Sequence, residues 1–194
     1  SKIFFSRNGI NLFSSEKEIR NQFQSIFLEF NINNMSIDFY TAGATESIKN
    51  KTLNIFKQYF PSIKISIFSD LLAASRALFF DQEGIVCILG TGSNCAFFDG
   101  FSNHQITPSL GHVFGDYGSG YYLGKELLVK YFHNDLSSDI DNYIFQYTKM
   151  NKDKLLSHIY SLNNLKFYIS DFVKIVKKFE EKDEIKNMIQ NVLI

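Results

Sequence analysis

The chain has 194 residues, enough for one domain or two small lobes around a sizeable core. Lys+Arg and Asp+Glu both number 20, and this zero net charge argues against a nucleic-acid partner. No apolar run reaches the ~20 residues a membrane helix needs and the start lacks a signal-peptide pattern, so a cytoplasmic protein with no membrane partner is expected.

Ile3-Phe4-Phe5 reads as the tail of an extended segment that enters a loop through Asn11 and Phe13. Ser15-x-x-Glu18 is a capping box, and Ile19, Phe23, Ile26, Phe27 and Phe30 follow at helical spacing, which predicts a helix over about 15–30. Ser36–Thr41 alternates as a strand. A second helix over about 46–59 places Ile48, Thr52, Ile55, Phe56 and Tyr59 on one face, with Pro61 beyond its end. Lys64–Phe68 is a strand and Leu71–Phe80 a helix. The boundary is expected at Asp81-Gln82-Glu83, giving units 1–82 and 83–194. Then come a meander of short strands over 84–107, a loop over 108–120, and a mostly helical part over 120–194. Helices are predicted from Ser119 and near 138–147, 151–160, 165–181 and 184–193, with the mixed charges of Lys174–Lys186 on a solvated face. Strands alternating with helices make this an α/β chain. Cys87 and Cys95 lack metal-site spacing and read as reduced core thiols, with a cross-strand disulfide the lesser alternative.

Chemistry concentrates at three places. Gly90-Thr91-Gly92-Ser93 joins two strand-like runs, and its glycines allow positive φ and close approach of backbone to a ligand. Its N–H groups and hydroxyls suit a phosphate, although an ordinary glycine-rich hairpin reads the same way. Asp70 stands where a strand ends and a helix begins, so it is a helix cap, a general base at the carboxyl edge of a sheet, or both. Asp116, in Gly115-Asp116-Tyr117-Gly118-Ser119-Gly120, is either an Asx-turn residue or a ligand for hydroxyl groups. His112 reads as structural, and no metal-ligand set accompanies it.

The ordered set Ser69-Asp70-Leu71-Leu72-Ala73-Ala74, Gly90-Thr91-Gly92-Ser93-Asn94 and Gly111-His112 through Gly120 resembles the N-acetylglucosamine kinase branch of the BadF/BadG/BcrA/BcrD-type ATPase family. The resemblance runs from about Asn8 to about Gly124. It implies an actin-like ATPase (ribonuclease H-like) two-lobe fold, present here in part. It also implies ATP with Mg2+ as co-substrate and phosphorylation of a sugar hydroxyl, an amino sugar above all. Carried over by position, Asp70 is the catalytic base and Gly90, Thr91, Gly92 and Ser93 hold the nucleotide phosphates. Asn11, Phe13, Thr41, Ser93, Asn94, Ser109, Leu110, Gly111 and Asp116 contact the sugar. A homodimer is compatible with the resemblance.

The chain departs from the family at Tyr117, where Glu is usual, at Leu110, where Trp stands in a related kinase, and at Thr41-Ala42-Gly43-Ala44, which replaces a Ser-Gly-Gly-Asp-like loop. These changes bear on which sugar is accepted. The superfamily's first phosphate loop and its adenosine-covering segment are absent from the sequence, so the chain reads as the middle of a longer protein and this segment alone is expected to be a poor catalyst. Two further functions stay open: a sugar-independent ATPase of the dehydratase-activating kind, for which the Cys-bearing cluster segment is missing, and a sugar-binding protein that has lost its chemistry.

Overall fold

A computed structural model describes residues 10, 12, 14–30, 36–105 and 107–193. Asn11 and Phe13 lie outside the described residues. The chain divides into two compact units, Ser1–Leu78 and Phe79–Ile194, each with its own core.

In the first unit the capping box forms. The Ser15 N–H donates to Glu18 Oε2 at 2.9 Å and the Glu18 N–H donates to Ser15 Oγ at 3.3 Å, which opens α1 (Glu16–Phe30). β1 (Ser36–Thr41), α2 (Glu46–Tyr59) and β2 (Lys64–Ser69) make a βαβ unit whose strands pair in parallel, from Ser36 opposite Lys64 to Thr41 opposite Ser69. Thr45 caps α2 by accepting the Ile48 N–H. The core is aromatic: Phe23 and Phe27 of α1 meet Phe56 of α2, with Phe23–Phe56 edge-to-face at 4.7 Å and Phe27–Phe60 at 4.9 Å. Tyr59, expected on the inner face of α2, is exposed, and the Arg20 guanidinium lies over its ring. α3 (Asp70–Phe79) follows β2 without a linker. Arg76 fixes it to the sheet, donating to the Tyr40 hydroxyl at 2.6 Å while stacking on Phe68.

The second unit begins with an antiparallel meander of β3 (Glu83–Leu89), β4 (Ser93–Asp99) and β5 (Asn103–His104). Val86, Ala96 and Phe98 bury one face of it, whereas Ile85, Cys87, Leu89 and Cys95 lie exposed on the other. The cysteines are therefore not core thiols: the two-residue period of a strand puts them with the uncovered set. A single-turn helix, α4 (Gly111–Phe114), interrupts what the sequence presents as a loop. The helical part is α5 (Gly120–His133), α6 (Ser138–Thr148), α7 (Lys152–Ser161), α8 (Leu165–Asp171), α9 (Val173–Lys178) and α10 (Asp183–Leu193).

The single helix expected over 165–181 is thus two helices. Buried Phe172 sits at the break, and the Phe172 and Ile175 N–H groups donate three residues back, to Ile169 and Phe172, tightening the chain into a 3₁₀-like step. Leu127, Leu128 and Tyr131 of α5 form a common core with Ile140, Ile144, Leu155, Ile169, Phe172, Ile175 and Ile185. Gly124 lets α8 cross α5 closely, since a Cβ there would run into the Ile169 carbonyl. The Lys174–Lys186 charges pair at the surface, Lys177 with Glu180 at 2.7 Å and Lys186 with Glu181 at 2.8 Å.

Candidate functional site

In the first unit the carboxyl ends of two parallel strands place Thr41 and Ser69 side by side, with Asp70 next in the chain. Ser69 is the cap of α3, its Oγ accepting the Leu72 N–H at 3.2 Å. Asp70 is the first helical residue, and its Oδ1 accepts the Leu71 N–H at 2.9 Å. The capping role read for Asp70 belongs to its neighbour. The carboxylate is half-buried and sits at a helix N-terminus, where negative charge is favoured.

In the second unit the Gly90–Ser93 turn is locked from behind by α5. The Gly120 N–H donates to the Gly90 carbonyl at 2.8 Å and the Tyr121 N–H to that of Thr91 at 3.2 Å, so the helix's unpaired N-terminal donors go to the turn. Ser119 caps the same helix through the Tyr122 N–H. Neither Gly90 nor Gly92 takes positive φ, contrary to the expectation for this turn. Gly92 leaves room for the ion pair beside it: a Cβ there would lie 2.8 Å from both Asp116 Oδ2 and Lys166 Nζ, and one of them would have to move. The turn also spends two of its own donors, the Gly90 N–H on the Gly92 carbonyl and the Ser93 N–H on Asp116 Oδ1 at 3.0 Å. The N–H groups of Thr91 and Gly92 and the Thr91 and Ser93 hydroxyls are the turn's other donors.

Asp116 is 7% exposed and holds a left-handed backbone, φ +56°. It does not cap its own loop as an Asx-turn would. One oxygen accepts from Ser93 and the other meets the Lys166 ammonium of α8 at 2.8 Å. The backbone of the motif turns by itself, the Ser119 N–H donating to the Asp116 carbonyl across Gly118 at φ +72°. Asn94 is oriented as firmly: its Oδ1 accepts the Cys95 N–H and the Gln105 Nε2, both at 2.9 Å, which leaves the amide NH2 for a ligand. Lys166 and Gln105 carry no local sequence signal.

A cavity of about 530 Å³ opens between the hairpin and the following loop. Ser93, Asn94, Ser109, Leu110 and Asp116 line it, with Gly111 adjoining at φ +68°. Leu89, Phe114 and Tyr117 give the wall an apolar part. Gly90, Thr91 and Gly92 are at its edge in the chain but do not line it. His112 packs edge-on against Tyr121 at 5.1 Å. Asp99, Ser102 and His104 form a separate polar cluster in which one histidine nitrogen faces both Asp99, at 2.6 Å, and the Ser102 hydroxyl, at 3.2 Å, so no proton relay through the ring is set up. Among the described residues no three His, Cys, Asp or Glu side chains gather to hold a metal, and no helix is long and apolar enough to cross a membrane.

No family model and no curated protein matches this chain. Solved structures do match it, two candidate kinases among them. A candidate N-acetylglucosamine kinase from Porphyromonas gingivalis matches with a TM-score of 0.84 and 26% identity, over 95% of this chain and 67% of its own. A candidate N-acetylglucosamine kinase from Chromobacterium violaceum matches with a TM-score of 0.68 and 15% identity, over 92% of this chain and 66% of its own, a likeness of fold alone. The chain spans about two thirds of the length of each. Its mixed α/β architecture is that of these kinase-like proteins.

Proposed function

We propose that the protein is an ATP-dependent sugar kinase of the N-acetylglucosamine kinase-like branch of the BadF/BadG/BcrA/BcrD-type ATPases, with an actin-like fold. The observation that carries the reading is the cavity of the second unit. Five residues drawn from three separated segments, Ser93, Asn94, Ser109, Leu110 and Asp116, line one space of about 530 Å³. That space pairs fixed hydrogen-bonding groups with Leu89, Phe114 and Tyr117, the mixture a polyhydroxylated ring with apolar faces requires. The likeness to the P. gingivalis protein supports the same class of substrate.

In the proposed reaction Asp116 accepts hydrogen bonds from sugar hydroxyls. Ser93 and Lys166 hold it so that little reorganisation is needed when the sugar enters. The hydroxyl oxygen forms a bond to the γ-phosphorus of ATP as the bond to ADP breaks, and Asp70 takes the hydroxyl proton. The cradle at Thr91 and Gly92, with the Lys166 ammonium behind it, fits an anionic phosphate. Mg2+ bound with the nucleotide would neutralise phosphate charge.

The test is ADP release from Mg-ATP by the full-length protein across a panel of amino and neutral hexoses. Sugar-dependent release that falls by about 10²–10⁴-fold in Asp70→Asn is the expected result. Hydrolysis that ignores the sugar refutes the kinase in favour of an ATPase, and saturable sugar binding without turnover refutes it in favour of a binding protein.

A further inference from the structure

Cys87 and Cys95, the chain's 2 cysteines, are register partners on β3 and β4, with their Sγ atoms 2.9 Å apart. Both are exposed, both line the cavity beside Ser93 and Asn94, and the reaction above uses neither. Directly opposed residues of an antiparallel pair have Cα atoms about 4.5–5.5 Å apart. That falls inside the span of about 4.4–6.8 Å over which a disulfide forms. Side-chain rotation therefore closes the bond while the strand register stays as it is.

We propose that Cys87 and Cys95 are a reversible dithiol–disulfide site on the cavity wall, oxidised by a low-molecular-weight disulfide. The Cys87 thiolate attacks one sulfur of the small disulfide; that S–S bond breaks and one thiolate leaves with the electron pair, taking a proton from solvent. The hydrogen bond with Cys87, aided by partial desolvation, pushes the Cys95 thiol up, and Cys95, with its sulfur 2.9 Å away, is the resolving thiol. It gives its proton to solvent and attacks the Cys87 sulfur, expelling the second small thiol. The protein loses two hydrogens and the small disulfide gains them. The new bond ties β3 to β4 next to the candidate sugar contacts.

The proposal is independent of the kinase reading, and mass spectrometry tests it without an activity assay. The protein is held in excess glutathione disulfide, alkylated with iodoacetamide, and measured intact and after digestion. The expected product has lost two hydrogens, carries a Cys87–Cys95 bond, takes up no alkyl group, and regains both thiols with dithiothreitol. Cys95→Ser, shown to be folded by circular dichroism, should instead retain one glutathione on Cys87. Stable glutathione adducts on the unsubstituted protein, a disulfide-linked dimer, or two thiols that remain alkylatable would each overturn it.

Discussion

Asp70 and Asp116 sit in two regions that hold a carboxylate by opposite means. Asp70 is positioned by the helix it begins: its oxygen accepts the next N–H, and Ser69 beside it supplies the cap. Asp116 is buried in a left-handed conformation that costs a non-glycine residue about 1–3 kcal/mol, and distant groups hold it there, Ser93 on β4 and Lys166 on α8. The first arrangement is self-contained and leaves the carboxylate open to act on a proton. The second is a fixed acceptor whose geometry depends on the packing of three elements. In the proposed reaction these are the demands placed on a base and on an anchoring ligand.

The sharpest way to break the second arrangement without touching it is at Gly124. Alanine there collides with the Ile169 carbonyl, which is backbone and has little room to yield, so α8 and with it Lys166 must move away from α5. Overpacking of this kind costs about 3 kcal/mol, more than the ~1 kcal/mol that alanine gains over glycine in a helix. Urea denaturation should show the loss, together with weaker sugar binding. Lys166→Met strikes the pair directly. Removing one partner of a fully buried pair costs about 3–5 kcal/mol; Lys166 is 31% exposed, so solvent already screens the pair from the lysine side and about 2 kcal/mol is expected. Lys166→Arg should recover part of the stability; equal stability of all three proteins would show that the ion pair does not hold Asp116. Asp70→Asn should change stability by about 0.5 kcal/mol or less, because Ser69 keeps the cap. A large loss of stability in this variant would erase the contrast between the two aspartates.

The same contrast marks what could be read from the sequence. Ser15-x-x-Glu18 and the helical spacing of Ile19, Phe23 and Phe27 are local patterns, and α1 follows them. The strand–turn–strand around Gly90–Ser93 and the strand that delivers Asp70 were legible for the same reason. The grouping of Ser93, Asn94, Ser109, Leu110 and Asp116 came through the order of motifs resembling a known family. Periodicity could not yield Lys166 or Gln105, because a lysine or glutamine is chosen as a partner only by what packs beside it in three dimensions. Nor does alternation tell which face of the β3–β4 hairpin is covered, and the cysteines, expected in the core, lie on the uncovered one. The break at Phe172 was hidden because apolar spacing continues through it while the backbone tightens.

Two surface carboxylates extend the comparison to the smallest expected effect. Asp99 is held below the usual carboxylate range by its own turn, chiefly the Ser102 N–H and His104, and Asp139 is lowered to about 2 by Lys182 and the Ser137 hydroxyl. Both folded-state values lie below the unfolded value of about 3.9, so the unfolded chain binds protons first as pH falls. The stabilisation from Asp139 is complete above about pH 4 and disappears as pH drops through the folded value near 2. Thermal unfolding should therefore separate the protein from Asp139→Asn at about pH 6 and bring the two together near pH 2. Lys182→Met should shrink the same pH-dependent gap while leaving the share due to Asp99 in place, since that share is set within a single turn. An unchanged gap in Lys182→Met would mean that Asp139, like Asp70 and Asp99, is held by its immediate neighbours alone.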